Sequence, residues 1–219
     1  MLPVFLIIGG AFLLGAVPFG YLAGRMRGID LRAHGSGNIG ATNTLRVLGT
    51  RMGIVVLLLD VGKGLLPLLA ARRLDGAAAG GANDWVVVGA GLAAILGHTF
   101  SPFLGFKGGK GVATSLGVLI GLSPLVAGLV VSVFLLVVAA TRYVSLGSIL
   151  AAITQAVLFW LPLFDGHAAP LPFRLFGLLA AVFVVLKHQS NVERLRKGTE
   201  ARFGEKKMGD APPPKSDAG

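Results

Sequence analysis

The chain has 219 residues, of which 54% are hydrophobic and 14% are charged, and it contains no cysteine. A mean hydropathy of +0.78 excludes an ordinary soluble domain of this size, which needs much more polar surface. The lack of cysteine excludes disulfides, thiolate zinc sites and a cysteine nucleophile. In a membrane protein, the net charge of +10 indicates orientation in the bilayer and anionic lipid or phosphate ligands rather than nucleic acid.

Apolar runs follow one another along the chain and predict an all-α, polytopic membrane protein with a single bundle of about seven transmembrane helices. Residues 1–201 form the predicted membrane domain. Residues 202–219, with consecutive prolines and mixed charge, form a predicted disordered tail. The apolar runs cover residues 3–23, 54–71, 85–100, 112–122, 124–140, 144–163 and 173–186.

The apolar sequence between residues 112 and 140 is interrupted by Ser123 and Pro124, so it forms either one long helix or two short ones. Proline lacks a backbone donor and disfavours helix just before it. With two segments, sixteen of the 20 lysines and arginines lie on one side of the membrane, which is the bias of a cytoplasmic face. We therefore predict two segments, an outside N-terminus and a cytoplasmic C-terminus.

Three polar stretches that join or end the apolar runs carry the candidate chemistry. If all three meet on one membrane face, they form a pocket for phosphate-bearing ligands beside the lipid. They read GSGNIGATNTLR (35–46), GFKGGKGVAT (105–114) and KHQSNVERLRKG (187–198).

In the first stretch, hydroxyl, amide and guanidinium groups stand among glycines. Glycines let backbone N–H groups converge on an anion, and an arginine can bind phosphate through two parallel hydrogen bonds. The alternative is a helix cap beside an interfacial arginine, but so many hydrogen-bonding side chains exceed what capping needs. The candidates are Ser36, Asn38, Thr42, Asn43 and Arg46.

In the second stretch, two lysines stand among glycines directly before an apolar run. This arrangement suits a phosphate held by backbone N–H groups at a helix N-terminus, with lysines supplying charge. It is not a nucleotide-binding P-loop, because the second lysine is followed by glycine instead of serine or threonine. The alternative is a flexible turn whose lysines contact lipid head groups. The candidates are Gly105, Lys107, Gly108, Gly109, Lys110 and Gly111.

Four further polar residues are candidates on weaker grounds. His188 and Asn191 are three residues apart in the third stretch and can share a helix face, although a lone histidine at a membrane edge is more often a surface residue. Asp60 and Lys63 are three apart in the second apolar run and are predicted to pair, in a structural role. His98 either lines the pocket or caps its helix.

Together these segments resemble the bacterial acyl-phosphate:glycerol-3-phosphate acyltransferase (PlsY-type) family. The resemblance covers nearly the whole chain except the tail, and its motifs stand in the family's order and spacing. The resemblance implies a seven-helix enzyme of the bacterial inner membrane with its active site facing the cytoplasm. The motifs are GSGNIGATNTLR, Asp60-x-x-Lys63-Gly64, GHTFSPFLGFKGGKGVAT and KHQSNVERLRKGTE.

The activity that this resemblance implies is the first acylation of phospholipid biosynthesis. A fatty acyl group moves from acyl phosphate to the 1-hydroxyl of glycerol 3-phosphate, giving lysophosphatidic acid and phosphate. Because acyl phosphate is already activated, we expect direct attack by the hydroxyl without a covalent nucleophile. The general base stays open among His188, His98 and a phosphate oxygen of the substrate.

The resemblance also implies roles for single residues. Lys107, His188 and Ser36 are the predicted catalytic residues, and the loop of residues 105–111 holds the acyl-phosphate group. The predicted substrate-binding residues are Arg46, Asn38, Thr42, Asn43, Asn191, His98, Gly105, Gly108, Gly109, Lys110 and Gly111.

The expected partners are acyl phosphate, glycerol 3-phosphate and membrane lipids, with no nucleic acid and no obligatory protein partner. We expect no metal or organic cofactor, because no acidic or histidine cluster has ligand spacing. The alternative function is a transporter of a phosphate-bearing metabolite, with basic glycine loops at broken helices. Against a transporter stand the absence of an internal repeat and the concentration of all three motifs on one face. A non-enzymatic scaffold for anionic lipids does not explain residues 36–43.

Overall fold

The computed structural model describes residues 2–79, 83–164 and 166–205, and these ranges contain ten α-helices and no β-strand. The all-α prediction is therefore confirmed for the described residues. Residues 206–219 of the predicted tail lie outside them. The helices are α1 (Leu2–Ala16), α2 (Phe19–Arg25), α3 (Ala41–Leu48), α4 (Thr50–Ala79), α5 (Asp84–Thr99), α6 (Val112–Leu122), α7 (Pro124–Thr141), α8 (Val144–Leu158), α9 (Leu171–Lys187) and α10 (Gln189–Arg196).

Two prolines divide apolar runs into separate helices. The predicted break is confirmed at Ser123, whose backbone is extended and whose hydroxyl accepts a hydrogen bond from the Val126 N–H at 3.3 Å, while Pro124 opens α7. Serine before proline is a favourable helix start, because proline lacks only a donor that the first turn leaves unused. The first apolar run, predicted to be continuous, breaks before Pro18 into α1 and α2.

Several helices are long and apolar enough to cross a bilayer. Within the described ranges, four stretches meet this condition by themselves, and α9 with α10, bent by 57°, makes a fifth. Helices α6 and α8 have 11 and 15 residues, which is short for a hydrocarbon core of about 30 Å. The seven crossings and the orientation of the termini stay predictions. The four stretches are Val4–Arg25, Thr50–Gly76, Asp84–Leu104 and Pro124–Thr141.

Large apolar side chains cover the outside of the bundle, and small residues join its helices. Leu136 on α7 is 69% exposed, as expected for a surface solvated by lipid. A Cβ atom on Gly117 of α6 would lie 1.9 Å from the Val61 carbonyl oxygen of α4, and one on Gly64 would lie 2.1 Å from the Thr114 carbonyl oxygen. The backbones of α4 and α6 therefore touch directly, which is the packing that small residues allow in membranes.

The order of helix contacts encloses a central space. Helix α5 packs against α1 and α4, and α4 packs against α6. Helices α6, α7, α8 and α9 then follow as successive neighbours, and α9 returns to α5. The polar stretches lie at one end of this ring. At the other end, Phe159 and Phe176 are fully buried.

Candidate active site

The three polar stretches meet in one cavity of about 510 Å³. From its polar end, an apolar arm extends between α6, α7, α8 and α9. The predicted convergence of the stretches is thereby confirmed. The polar residues that line the cavity are Ser36, Asn38, Thr42, Asn43, Arg46, Asp60, His98, Lys110, Ser115, Ser145, Ser148, Gln155, His188, Asn191, Arg194 and Glu200.

Asn43 organises the first stretch from inside. Its buried side-chain amide donates to the carbonyl oxygens of Leu31, His34 and Asn38 at 3.2, 3.1 and 2.8 Å. Its Oδ1 accepts from the Ser36 N–H at 2.9 Å. These bonds occupy the polar atoms of Asn43, so its geometry is that of a loop-organising residue. The substrate contact predicted for it stays a prediction.

The remaining candidates of the first stretch stand around this organised loop. The Asn38 Oδ1 accepts from the Gly40 N–H at 2.8 Å, and Arg46 projects from α3 into the cavity without an ion-pair partner among the described residues. Gly35 has φ +60°, and a Cβ there would lie 2.3 Å from the Asn43 Oδ1. This position requires glycine both for its backbone angle and for its closeness to Asn43.

The glycines of the second stretch pack against the end of α5. The Gly108 N–H donates to the Thr99 carbonyl oxygen at 2.9 Å, and the Gly109 N–H donates to that of His98 at 3.1 Å. A Cβ on Gly109 would lie 2.2 Å from His98 Nε2. The predicted cradle of backbone N–H groups is thus not formed by these two residues. In this stretch Lys110 and Gly111 line the cavity, whereas Gly105, Gly108 and Gly109 do not.

The two lysines of this stretch occupy different environments. Lys107 is exposed and does not line the cavity. Lys110 is half-buried in the cavity wall and donates to the Asn191 Oδ1. Burial lowers the pKa of the Lys110 ammonium to about 8, an effect that the Glu200 carboxylate opposes and the Arg194 charge reinforces. The catalytic role predicted for Lys107 stays a prediction, but the geometry favours Lys110.

Glu200 connects the third stretch to the rest of the site. Its Oε1 accepts from the Ser145 hydroxyl at 2.7 Å and from the Asn191 amide at 2.6 Å. Its Oε2 pairs with the Arg194 Nε at 2.7 Å. Burial by itself would raise the pKa of Glu200, but these three hydrogen bonds outweigh it and hold the pKa below its ordinary value. Asn191 therefore joins Glu200 to Lys110.

His188 lies at the bend between α9 and α10 and lines the cavity. Its Nδ1 stands 2.8 Å from the Val184 carbonyl oxygen. A carbonyl oxygen only accepts, so Nδ1 carries the hydrogen and Nε2 is left as an acceptor. This is the tautomer that a proton-accepting histidine needs.

A charged cluster lies behind the second stretch. Lys63 Nζ is 2.8 Å from Asp60 Oδ1, which confirms the predicted pair, and it also donates to the Val17 carbonyl oxygen at 2.8 Å. That carbonyl lies at the break between α1 and α2, where it also accepts from the Phe19 N–H at 3.2 Å. His98 Nδ1 lies 3.7 Å from the Asp60 carboxylate. The cluster thus links the helix break to the histidine that supports Gly109.

Six polar residues of the cavity wall received no role from the sequence, namely Ser115, Ser145, Ser148, Gln155, Arg194 and Glu200. Glu200 ends the third motif. The sequence feature that could have indicated its role is a carboxylate in a basic stretch. Ser145 carries no local signal, because its contact with Glu200 spans 55 residues. Gln155 carries none either, because it stands within an apolar run. Among residues 2–79, 83–164 and 166–205, no group of three or more histidine, aspartate or glutamate side chains has the arrangement of a metal site.

The fold and the site define an all-helical integral membrane protein whose cavity suits a ligand with a charged head and an apolar chain. Residues 5–198 match the family model described as glycerol-3-phosphate acyltransferase. The chain belongs to this family, and it is an integral membrane acyltransferase of lipid biosynthesis.

Individual relatives match over nearly their whole length. A glycerol-3-phosphate acyltransferase of Geobacter sulfurreducens is 48% identical over 93% of this chain and 99% of its own. One from Trichlorobacter lovleyi is 50% identical over 90% and 95%. The crystal structure of PlsY (YgiH), an integral membrane glycerol 3-phosphate acyltransferase in its glycerol 3-phosphate form, is similar with a TM-score of 0.83 and 39% identity, covering 92% of this chain and 96% of that one.

Replacing Asn43 with aspartate should loosen the first stretch. The carboxylate keeps the acceptor but loses the amide donors, and each buried carbonyl left unpaired costs about 1–3 kcal/mol. We expect faster hydrogen exchange across residues 31–40, measured by mass spectrometry on detergent-purified protein. The matched control is Asn38→Asp, because the Asn38 side chain accepts one bond that aspartate retains. Equal exchange in the two variants would contradict the role given to Asn43.

Proposed function

We propose that this protein transfers a fatty acyl group from acyl phosphate to the 1-hydroxyl of glycerol 3-phosphate, giving lysophosphatidic acid and phosphate. The observation that carries the proposal is the cavity itself, in which a polar end with cationic residues continues into an apolar arm. Such a cavity complements a phosphate head joined to an acyl chain. The solved relatives, with PlsY in a glycerol 3-phosphate form and a lysophosphatidic acid form, support the acceptor and the product.

The two ends of the mouth supply sites for two phosphoryl groups. On one side Arg46, with Ser36 and Asn38, binds the phosphate of glycerol 3-phosphate through charge-assisted hydrogen bonds. On the other side Lys110 stands beside Gly111, where the N-terminus of α6 opens into the cavity. Helix N-termini attract anions, so this side takes the phosphate of the donor. The acyl chain then lies in the apolar arm.

The reaction needs positioning and charge stabilisation more than a protein nucleophile. The glycerol hydroxyl oxygen attacks the acyl carbonyl carbon, the new ester bond forms, and the bond from that carbon to the phosphate oxygen breaks. Phosphate leaves with the bonding electron pair, and Lys110 stabilises its charge. His188 Nε2 takes the hydroxyl proton. His98 is less suited, since its ring is enclosed by Gly109 and the Asp60 carboxylate.

The proposal places the enzyme in a bacterial inner membrane with the site facing the cytoplasm. The third polar stretch lies at the end of the bundle that holds the mouth, together with the two loops that contain the first and second polar stretches. These segments carry most of the basic residues. Cytoplasmic loops carry such an excess. This orientation also gives the site direct access to glycerol 3-phosphate, which is water-soluble.

An acyl-transfer assay tests the proposal against the transporter alternative. Protein purified in detergent is mixed with palmitoyl phosphate and glycerol 3-phosphate, and both released phosphate and lysophosphatidic acid are measured. We expect the two products to appear in equal amounts, because detergent micelles contain no compartments and transport would be silent. Palmitoyl coenzyme A in place of palmitoyl phosphate tests the donor. Phosphate release without lysophosphatidic acid would indicate hydrolysis and contradict the proposal.

The two lysines of the second stretch should differ in their effect on turnover. Lys110→Ala removes a cation from the cavity wall, and we expect kcat to fall about 100-fold or more, the usual loss for a group that stabilises developing charge. Lys107→Ala is the matched control, because Lys107 is exposed outside the cavity, and we expect turnover within about twofold of the unmodified protein. Loss of turnover in Lys107→Ala would return the catalytic role to Lys107.

The depressed pKa of Lys110 predicts a pH limit. Lys110 carries its charge below its pKa of about 8, so the charged form is lost as the pH rises through that value. We expect kcat/KM for acyl phosphate to fall above about pH 8, since this parameter reports the free enzyme. In Lys110→Arg the fall should disappear, because guanidinium stays charged. All rates are corrected for the hydrolysis of acyl phosphate that occurs without protein. Identical pH profiles for the unmodified protein and Lys110→Arg would exclude Lys110 as the titrating group.

A further inference from the structure

One face of α8 lines the cavity from its mouth to its deep end. The face begins at Ser145, which bonds to Glu200, and continues through Ser148, Ala151 and Gln155. Ser145 and Gln155 are ten residues apart, which corresponds to about 15 Å along a helix axis. A bilayer hydrocarbon core is about 30 Å thick, so this face is as long as the acyl chain of one leaflet.

The other three helices of the arm end their contribution at a similar depth. On α6 the deepest lining residue is Leu119, on α7 it is Val130, and on α9 it is Ala180. Leu119 is eight residues from Gly111, and Ala180 is eight residues from His188, so both stand about 12 Å below the polar end. Four independent elements therefore define one floor.

Packed phenylalanines fill the space beyond this floor. Phe159 and Phe176 are fully buried, and the rings of Phe159 and Phe173 lie 6.1 Å apart edge to face. Phe159 is one helical turn beyond Gln155, and a Cβ on Gly177 of α9 would lie 2.8 Å from its ring. A close-packed aromatic cluster yields little space. The arm is therefore closed at this end.

Gln155 is the polar residue at the floor of this apolar arm. It is 4% exposed and lines the cavity. Its Nε2 has no hydrogen-bond partner in the part of the chain that the structure describes. A buried amide donor without a partner is costly unless a ligand or a water accepts from it.

We propose that Gln155 determines which acyl chains the enzyme accepts, by setting the longest saturated chain that fits the arm. The inference rests on the proposed function, since it concerns the donor of that reaction. An acyl chain that ends before it reaches Gln155 leaves room for a water to accept a hydrogen bond from the amide. A chain that reaches Gln155 covers the N–H with methylene groups and removes that possibility. Chains longer than one leaflet's length are thereby disfavoured.

The test is the chain-length profile of kcat/KM, measured with saturated acyl phosphates from dodecanoyl to octadecanoyl at saturating glycerol 3-phosphate. Gln155→Leu removes the amide at similar volume. We expect its ratio of kcat/KM for octadecanoyl over dodecanoyl phosphate to rise about tenfold, which is the factor that ~1.4 kcal/mol represents. The KM for glycerol 3-phosphate should not change. Thr154→Leu is the control, because Thr154 is the adjacent residue and does not line the cavity.

A profile of Gln155→Leu that equals that of the unmodified protein overturns the inference and leaves the proposed function intact. Failure of the unmodified protein to transfer any acyl group ends the proposed function, and the inference with it.

A second measurement needs no variant. It compares long donors that end in a hydroxyl with equally long donors that end in a methyl group. We expect the hydroxyl to be tolerated better on long donors than on short ones, because only the long ones can accept from the Gln155 amide. An equal loss at both lengths overturns the inference.

Discussion

The carboxylate of Glu200 is the contact on which the geometry of the site depends. It accepts hydrogen bonds from Ser145 on α8 and from Asn191 and Arg194 on α10, and Asn191 in turn accepts from Lys110. This one carboxylate thus connects helices α8 and α10. Through Asn191 it also connects the chain after α10 to the glycine-rich loop that carries Lys110. At the edge of a bilayer such a network must be complete, because each buried polar group left unpaired is costly. The network gives a mouth rich in cations its fixed shape.

Gly108 and Gly109 of the second stretch pack against the end of α5, where their N–H groups are paired. Their N–H groups complete the end of α5, where helical carbonyls otherwise lack donors. By lying against His98, Gly109 brings the chain close enough for Lys110 to enter the cavity wall. A glycine-rich loop before a helix resembles an anion site in sequence whether its N–H groups are free or paired. Here the Gly108 and Gly109 N–H groups are paired, and the following residue, Lys110, places a charged side chain in the cavity wall.

Much of the fold could be predicted from the sequence, because its determinants are local. Apolar run lengths predicted the long helices, Pro124 predicted the break before α7, and the spacing of Asp60 and Lys63 predicted their pair. Helices α3 and α10 and the break between α1 and α2 were not predicted. Which of Lys107 and Lys110 lines the cavity could not be predicted, since both are lysines among glycines. It depends on the turn at Phe106, which has φ +62°. A left-handed backbone conformation is rare for residues other than glycine, so a phenylalanine at position 106 does not predict that turn.

In the reaction proposed above, the apolar arm illustrates how selectivity arises when the surroundings of a protein are themselves apolar. In water, an apolar pocket favours longer chains because each buried methylene adds about 0.8 kcal/mol. A donor that already lies in the membrane gains almost nothing of this kind, since lipid tails are as apolar as the leucines around the arm. What remains to distinguish chains is shape and polarity. In the inference drawn above, the packed phenylalanines below the arm supply the shape, and the Gln155 amide, whose Nε2 has no partner among the described residues, supplies the polarity.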